Sequence, residues 1–195
     1  ALGMLSMVSS LSAQAGKVTV DKPDFDSLTS PEVGGNTGRK SFKPKEWLEA
    51  EVKFKVEMPD SYKEKFVNDV TVKWYVAVKN PAGKGTVLME KIVQHVNVPV
   101  GEEIFSSVYL APSAVMRLSG SDRASKSIVT AVGGEILVNG TAAVKNSGYF
   151  SSKGKPGWWT SDKLSRYDSV PLLNKNQTPF KFLWWDRYAE IKPEH

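Results

Sequence analysis

Histidine, cysteine and clustered carboxylates carry most protein chemistry, and this sequence supplies them sparingly. It has 195 residues, no cysteine and two histidines, His95 and His195. His95 lies in an alternating apolar and polar run and His195 is the last residue. Neither has the spaced partners of a zinc site or a Ser-His-Asp set. Without cysteine there is no thiolate nucleophile, disulfide scaffold or lipid-bearing N-terminal cysteine. G-x-S-x-G, H-E-x-x-H, G-x-G-x-x-G and the phosphate-binding Gly-Lys-Ser/Thr loop are all missing. Asp21, Asp24 and Asp26 (DKPDFD) could meet a cation, but they lack the oxygen ring and later bidentate Glu of a calcium loop. A solvated strand edge explains them. The expectation is a non-enzymatic protein with no metal and no cofactor.

Aromatic pairs are the remaining candidates. Trp158 and Trp159 stand in a Gly/Lys/Ser loop (GKPGWWTSD), with Tyr149 shortly before. Neighbours in an extended segment point to opposite sides, so at least one indole could reach solvent. Trp158, Trp159 and Tyr149 are therefore the candidate contact residues for a protein partner or a glycan ring. The competing reading is a loop anchor that plugs the end of the fold. Trp184 and Trp185 alternate within PFKFLWWDRYAEI, which predicts core and sheet-face packing. Aromatics among lysines can also stack bases. The net charge of +5 is spread along the chain, however, and no dense Lys/Arg run follows a face. Solubility explains the charge, and nucleic acid is not an expected partner.

These residues must be positioned mainly by strands, because period-two alternation dominates the chain. Residues 17–21 read as a short strand and 29–45 as a loop. In 46–58, Ala50, Val52, Phe54, Val56 and Met58 point one way, and Glu49, Glu51, Lys53, Lys55 and Glu57 the other. Such a strand packs one face and wets the other, as in antiparallel sheets. Residues 70–79 repeat the pattern, with Val70, Val72, Trp74, Val76 and Val78 inward. Turn chemistry follows at 80–85, then strand at 86–98 and 103–110. Residues 112–119 are the best helix, opened by Pro112 and closed by Gly120. Strands are expected at 127–132 and 135–145, with a bulge at Gly133-Gly134 and a hairpin turn at Asn139-Gly140. Residues 146–178 read as loop and 179–191 as a final strand, apolar on both faces and hence covered.

The pattern gives roughly eight strands and one short helix. Strands do not alternate with helices, so a mostly β, immunoglobulin-like antiparallel sandwich is expected, with loop extensions. An oligonucleotide/oligosaccharide-binding (OB-like) barrel is the alternative. A Trp in an early strand supports the sandwich, although no cysteine pair accompanies it.

Residues 1–15 (ALGMLSMVSSLSAQA) are apolar and uncharged and end in an A-x-A pattern. They read as the remnant of a secretory signal, too short to span a bilayer, ahead of a single domain over 16–195. Gly3-Met4 is followed by Val8 where a type IV prepilin would place Glu. The start is therefore not that of a pilin subunit. The expected location is outside the cytoplasm: periplasm, outer membrane or cell surface, peripheral to membrane at most.

The strand VTVKWYVAVKN (70–80) and the run VPLLNKNQTPFKFLWWDRYAEI (170–191) resemble a small pilus-like protein family. That family is encoded beside type IV pilus-like assembly genes in mucin-dwelling Verrucomicrobia such as Akkermansia. The resemblance implies an immunoglobulin-like fold, export, and protein partners in a pilus-like envelope complex. It brings no catalytic residues. An accessory or assembly component is the function expected, with a mucin-glycan-binding module or adhesin as the alternative.

Overall fold

The computed structural model describes residues 16–32, 43–121 and 126–193. The signal-like stretch 1–15 and His195 lie outside them. The elements run Lys17–Val20 (β1), Asp24–Thr29 (β2), Glu46–Glu57 (β3), Phe66–Val67 (β4), Val70–Lys79 (β5), Thr86–Val96 (β6), Val98–Pro99 (β7) and Glu103–Leu110 (β8). They continue with the helix Pro112–Ser119 (α1), then Val129–Val138 (β9), Thr141–Ala142 (β10), Tyr149–Ser151 (β11), Ser165–Arg166 (β12), Leu173–Asn174 (β13) and Glu190–Ile191 (β14). Among the described residues, five short 3-10 turns lie between them.

Among the described residues, two large open sheets result, with β4 and β7 forming a separate two-stranded antiparallel pair. One has the order β1-β3-β8-β13, with β2 also on β3; the other has the order β10-β9-β5-β6-β12, with β11 on β9 and β14 on β6. Long-strand pairings are antiparallel. Placing β3 beside β8 in one sheet, and β5 between β6 and β9 in the other, reproduces the order of an immunoglobulin-like sandwich. Neither sheet closes on itself, so the barrel alternative falls. Trp74, on β5, is fully buried at the centre.

Alternation builds the core as expected. Leu48, Ala50, Val52, Phe54 and Val56 of β3 are buried, as are Val70, Val72, Trp74, Val76 and Val78 of β5. Asn139 (φ 51°) and Gly140 (φ 70°) form the tight turn between β9 and β10. Helix α1 begins at Pro112, and the Gly120 N–H, at φ 70°, closes it on the Met116 carbonyl at 2.8 Å.

Other expectations change. Ahead of the expected loop, Asp24–Thr29 form a strand that the pattern did not mark, β2, which pairs with β3 along its outer edge. There the Asp24 and Asp26 carboxylates accept the backbone N–H groups of Phe25 and Ser27, at 2.8 and 2.7 Å. Asp21 pairs with Lys53 and Asp26 with Lys126, each at 3.0 Å. These aspartates block a free sheet edge. The bulge lies near Ala77/Val78, opposite Ala131 and Val129, not at Gly133-Gly134. Those glycines stay in register and admit rings: a Cβ at Gly133 would meet the Trp159 indole at 2.8 Å, and one at Gly134 the Phe150 ring at 2.5 Å. Phe150 in turn meets Trp74 edge-on, 5.1 Å between centroids.

The expected strand 179–191 is not one strand. Pro179–Phe182 is a 3-10 turn, Trp184 adopts φ 56°, and only Glu190–Ile191 pairs as strand. Pro179 has no N–H to give a ladder, and Thr178 Oγ1 accepts the Phe180 N–H at 3.2 Å, starting a turn instead.

One hydrogen-bonded chain crosses the core. Trp74 Nε1–H donates to Ser106 Oγ at 3.3 Å, and Ser106 meets His95 Nε2 at 2.9 Å. His95 Nδ1 lies 3.2 Å from the carbonyls of both Ala189 and Glu190. Two carbonyls require a donor, so Nδ1 carries the proton and Nε2 accepts from Ser106. Burial pulls the His95 pKa down to about 4, against the pull of those carbonyls. The folded state thus resists a proton that the unfolded chain accepts below its ordinary value of 6.5. The stability present above that value is lost as pH falls toward 4. Between about pH 7.5 and pH 5.5, urea unfolding should lose about 1.4 kcal/mol, and His95→Gln should flatten that slope. An unchanged slope in the variant would contradict the assignment.

Candidate interaction surface

Tyr149, Trp158 and Trp159 come together on the outer face of the β5/β9 sheet. Trp159 is only 7% exposed. Its ring stacks on Tyr75 at 4.9 Å and 7°, and flanks Tyr149 at 6.0 Å and 30°. Trp158 meets Trp159 edge-on at 80° and donates its indole N–H to Ser151 Oγ at 3.0 Å. The pair therefore offers no coplanar platform. Trp159 plugs the sheet face over Gly133, and Trp158 and Tyr149 remain half-buried around it.

The larger exposed aromatic group lies elsewhere. Phe182, Trp184 and Trp185 are 67%, 49% and 66% exposed. Core and sheet-face packing, expected for Trp184 and Trp185, is thus overturned. The segment carrying them is nevertheless firmly tied down. An Asn174–Gln177 capping box starts it, and Lys175 Nζ donates to the Leu183 carbonyl at 2.5 Å. Phe180 is buried, stacked on Tyr109 at 5.4 Å and edge-on to Trp47 at 5.6 Å. The Phe105 N–H donates to Arg187 O and the Ala189 N–H to Phe105 O, both at 3.1 Å. β14 then joins β6. Residues 173–191 thus touch the edges of both sheets.

Charge holds this segment over the outer face of β3 and β8. Tyr109 Oη donates to Glu49 at 2.5 Å, and Tyr188 Oη reaches both Glu49 and Glu51. Arg187 donates to Glu51 at 2.5 Å and lies over the Phe105 ring at 3.9 Å. Lys175 sits 4.7 Å from the centre of the Tyr188 ring. Burial raises the Glu49 pKa, opposed by the Tyr109 hydroxyl. Burial also lowers that of Lys175 and raises those of Tyr109 and Tyr188. Both tyrosines therefore stay protonated as donors. Trp184 sits in the left-handed region, where a bulky side chain costs about 1–3 kcal/mol. The network overdetermines that turn and leaves Trp185 pointing at solvent.

Sequence reasoning missed this surface because alternation assigned each ring to a face. The available signal was Pro179 at the head of the run, together with apolar residues on both faces of a C-terminal segment. Among the described residues no group of three or more His, Cys, Asp or Glu could hold a metal ion, and no helix is long and apolar enough to cross a membrane.

Tyr188→Phe keeps the ring and removes its hydroxyl from two carboxylates. Chemical unfolding should show a loss of about 1–3 kcal/mol. A loss below about 0.5 kcal/mol would mean that the network does not hold the segment.

No curated protein matches the chain. A protein-family model matches residues 9–195. Among solved structures, a crystal structure of a protein from Akkermansia muciniphila superposes with a TM-score of 0.84 at 35% sequence identity, covering 92% of this chain and 95% of that one. The match extends over both sheets and the C-terminal segment, and this chain belongs to the family that this Akkermansia muciniphila protein represents.

Proposed function

We propose that the protein is a non-enzymatic, exported component of the bacterial envelope, an accessory or assembly factor of a type IV pilus-like system that works by protein contact. The observation that carries this reading is the exposed trio Phe182, Trp184 and Trp185 on a segment pinned by partly buried hydrogen bonds. Large aromatics held rigid in solvent are the anchors of protein interfaces, where ordering costs least. Family membership and the resemblance of 70–80 and 170–191 to a pilus-like family support the setting. His95 supports a non-enzymatic role, since both ring nitrogens are used inside the core. The edge-on arrangement of Trp158 and Trp159 weighs against a glycan platform.

Affinity-tagged full chain, recovered from the source envelope, should bring down pilus-like assembly proteins. Phe182→Ala with Trp185→Ala should lower that recovery about tenfold, the loss expected of hot-spot rings, with unfolding midpoints unchanged. Recovery independent of both rings, or saturable mucin-glycan binding without protein partners, would overturn the proposal.

A further inference from the structure

Trp185 and Phe66, itself 50% exposed, both line one groove. Pro99, Ile104 and Ala189 add to its apolar lining, with Tyr188 beside them. Four carboxylates also line it: Glu102, Glu103, Asp186 and Glu190. No lysine or arginine lines it. Lys53 reaches Glu103 from outside at 3.3 Å, and Asn97 Nδ2 donates to Glu190 at 2.7 Å. Lys65 precedes Phe66 and meets Val100 through its backbone carbonyl. Arg187, next along the chain, is turned away onto Glu51 and Phe105. On a chain of net charge +5, this is a local reversal of sign beside two exposed rings.

Aromatic faces and carboxylates attract the same chemical group. A ring face draws a cation through its quadrupole, and a carboxylate fixes that cation by charge-assisted hydrogen bonds. We propose that this groove docks a lysine or arginine side chain carried on a basic segment of a partner protein. The inference rests on the reading of Trp185 as a contact residue and gives the partner's chemistry. The aliphatic stem of such a side chain would lie along Pro99 and Ile104 while its head meets the carboxylates. The reversed local charge steers a basic partner to this end of a molecule that otherwise repels it.

An acetylated, amidated heptapeptide alternating glycine with lysine and arginine is the probe, titrated calorimetrically into the full chain at low salt. Saturable binding is expected. It should weaken about tenfold in Trp185→Ala, and about tenfold in the double variant Glu102→Gln with Asp186→Asn. A glutamate counterpart of the peptide should not bind. No saturable binding, affinity unchanged in both variants, or equal affinity for spermidine would overturn the inference. If the peptide fails while envelope recovery still depends on Trp185, only the partner's chemistry is wrong. If the peptide binds but assembly proteins are not recovered, the assembly role is what fails.

Discussion

The fold depends on one chain of buried hydrogen bonds, from Trp74 through Ser106 to His95 and on to the Ala189 and Glu190 carbonyls. A buried polar group without a partner costs more than a satisfied one gains, so each link obliges the next. Trp74 and His95 belong to one sheet and Ser106 to the other, while the carbonyls belong to the C-terminal segment. The two sheets and the segment are therefore joined by a set of groups that cannot be satisfied separately. In immunoglobulin-like domains a disulfide usually sits beside the buried Trp. Here, with no cysteine, shape and this polar chain fix the arrangement.

The outer face of the β3/β8 sheet follows from the same constraint. Once residues 187–191 are tied to β8 and β6, the side chains leading to them must cover Glu49, Glu51 and Tyr109. They do so with a cation and a hydroxyl for the carboxylates and a ring for the ring. Few rings can be buried in such a short covering segment, and Phe180 takes that place. Phe182, Trp184 and Trp185 are left outside. On the opposite sheet Gly133 and Gly134 create room for rings, so Trp159 and Phe150 enter. Two Trp-Trp pairs in one chain thus meet different fates because only one of them faces glycine.

The central strands were legible because a half-buried strand must alternate: β3 does so along its length, and β5 departs from it only where Thr71 and Ala77 are also buried. Turns were legible where a single residue type meets the geometric need, as at Asn139-Gly140 and at Gly120. The sandwich followed from counting strands that lack intervening helices. What could not be read locally was decided by distant partners. β2 is a strand because β3 has a free edge, and its aspartates lie on that edge, where the solvated-edge reading of the sequence puts them. The C-terminal segment alternates like a strand, yet Pro179, Thr178 and the His95 contact break it into a turn, a crossing and a two-residue strand. Of the candidate surface, loop composition drew Trp158, Trp159 and Tyr149 together as contact residues, and it is the competing loop-anchor reading that the covered Trp159 fits. It assigned Trp184 and Trp185 to the interior because nothing in a strand pattern records which face lacks a neighbour.

Amide hydrogen exchange would show most directly whether residues 173–191 are part of the sandwich and not a tail laid upon it. The Ala189 amide bonds to Phe105 and the Lys192 amide to Gln94, at 3.1 and 2.9 Å. Both should exchange as slowly as the amides of β5, in a single cooperative unit with the two sheets. Exchange as fast as that of the turn amide Gly83, with β5 still protected, would mean that the segment opens on its own. The exposed rings would then be a loose end and not a displayed surface.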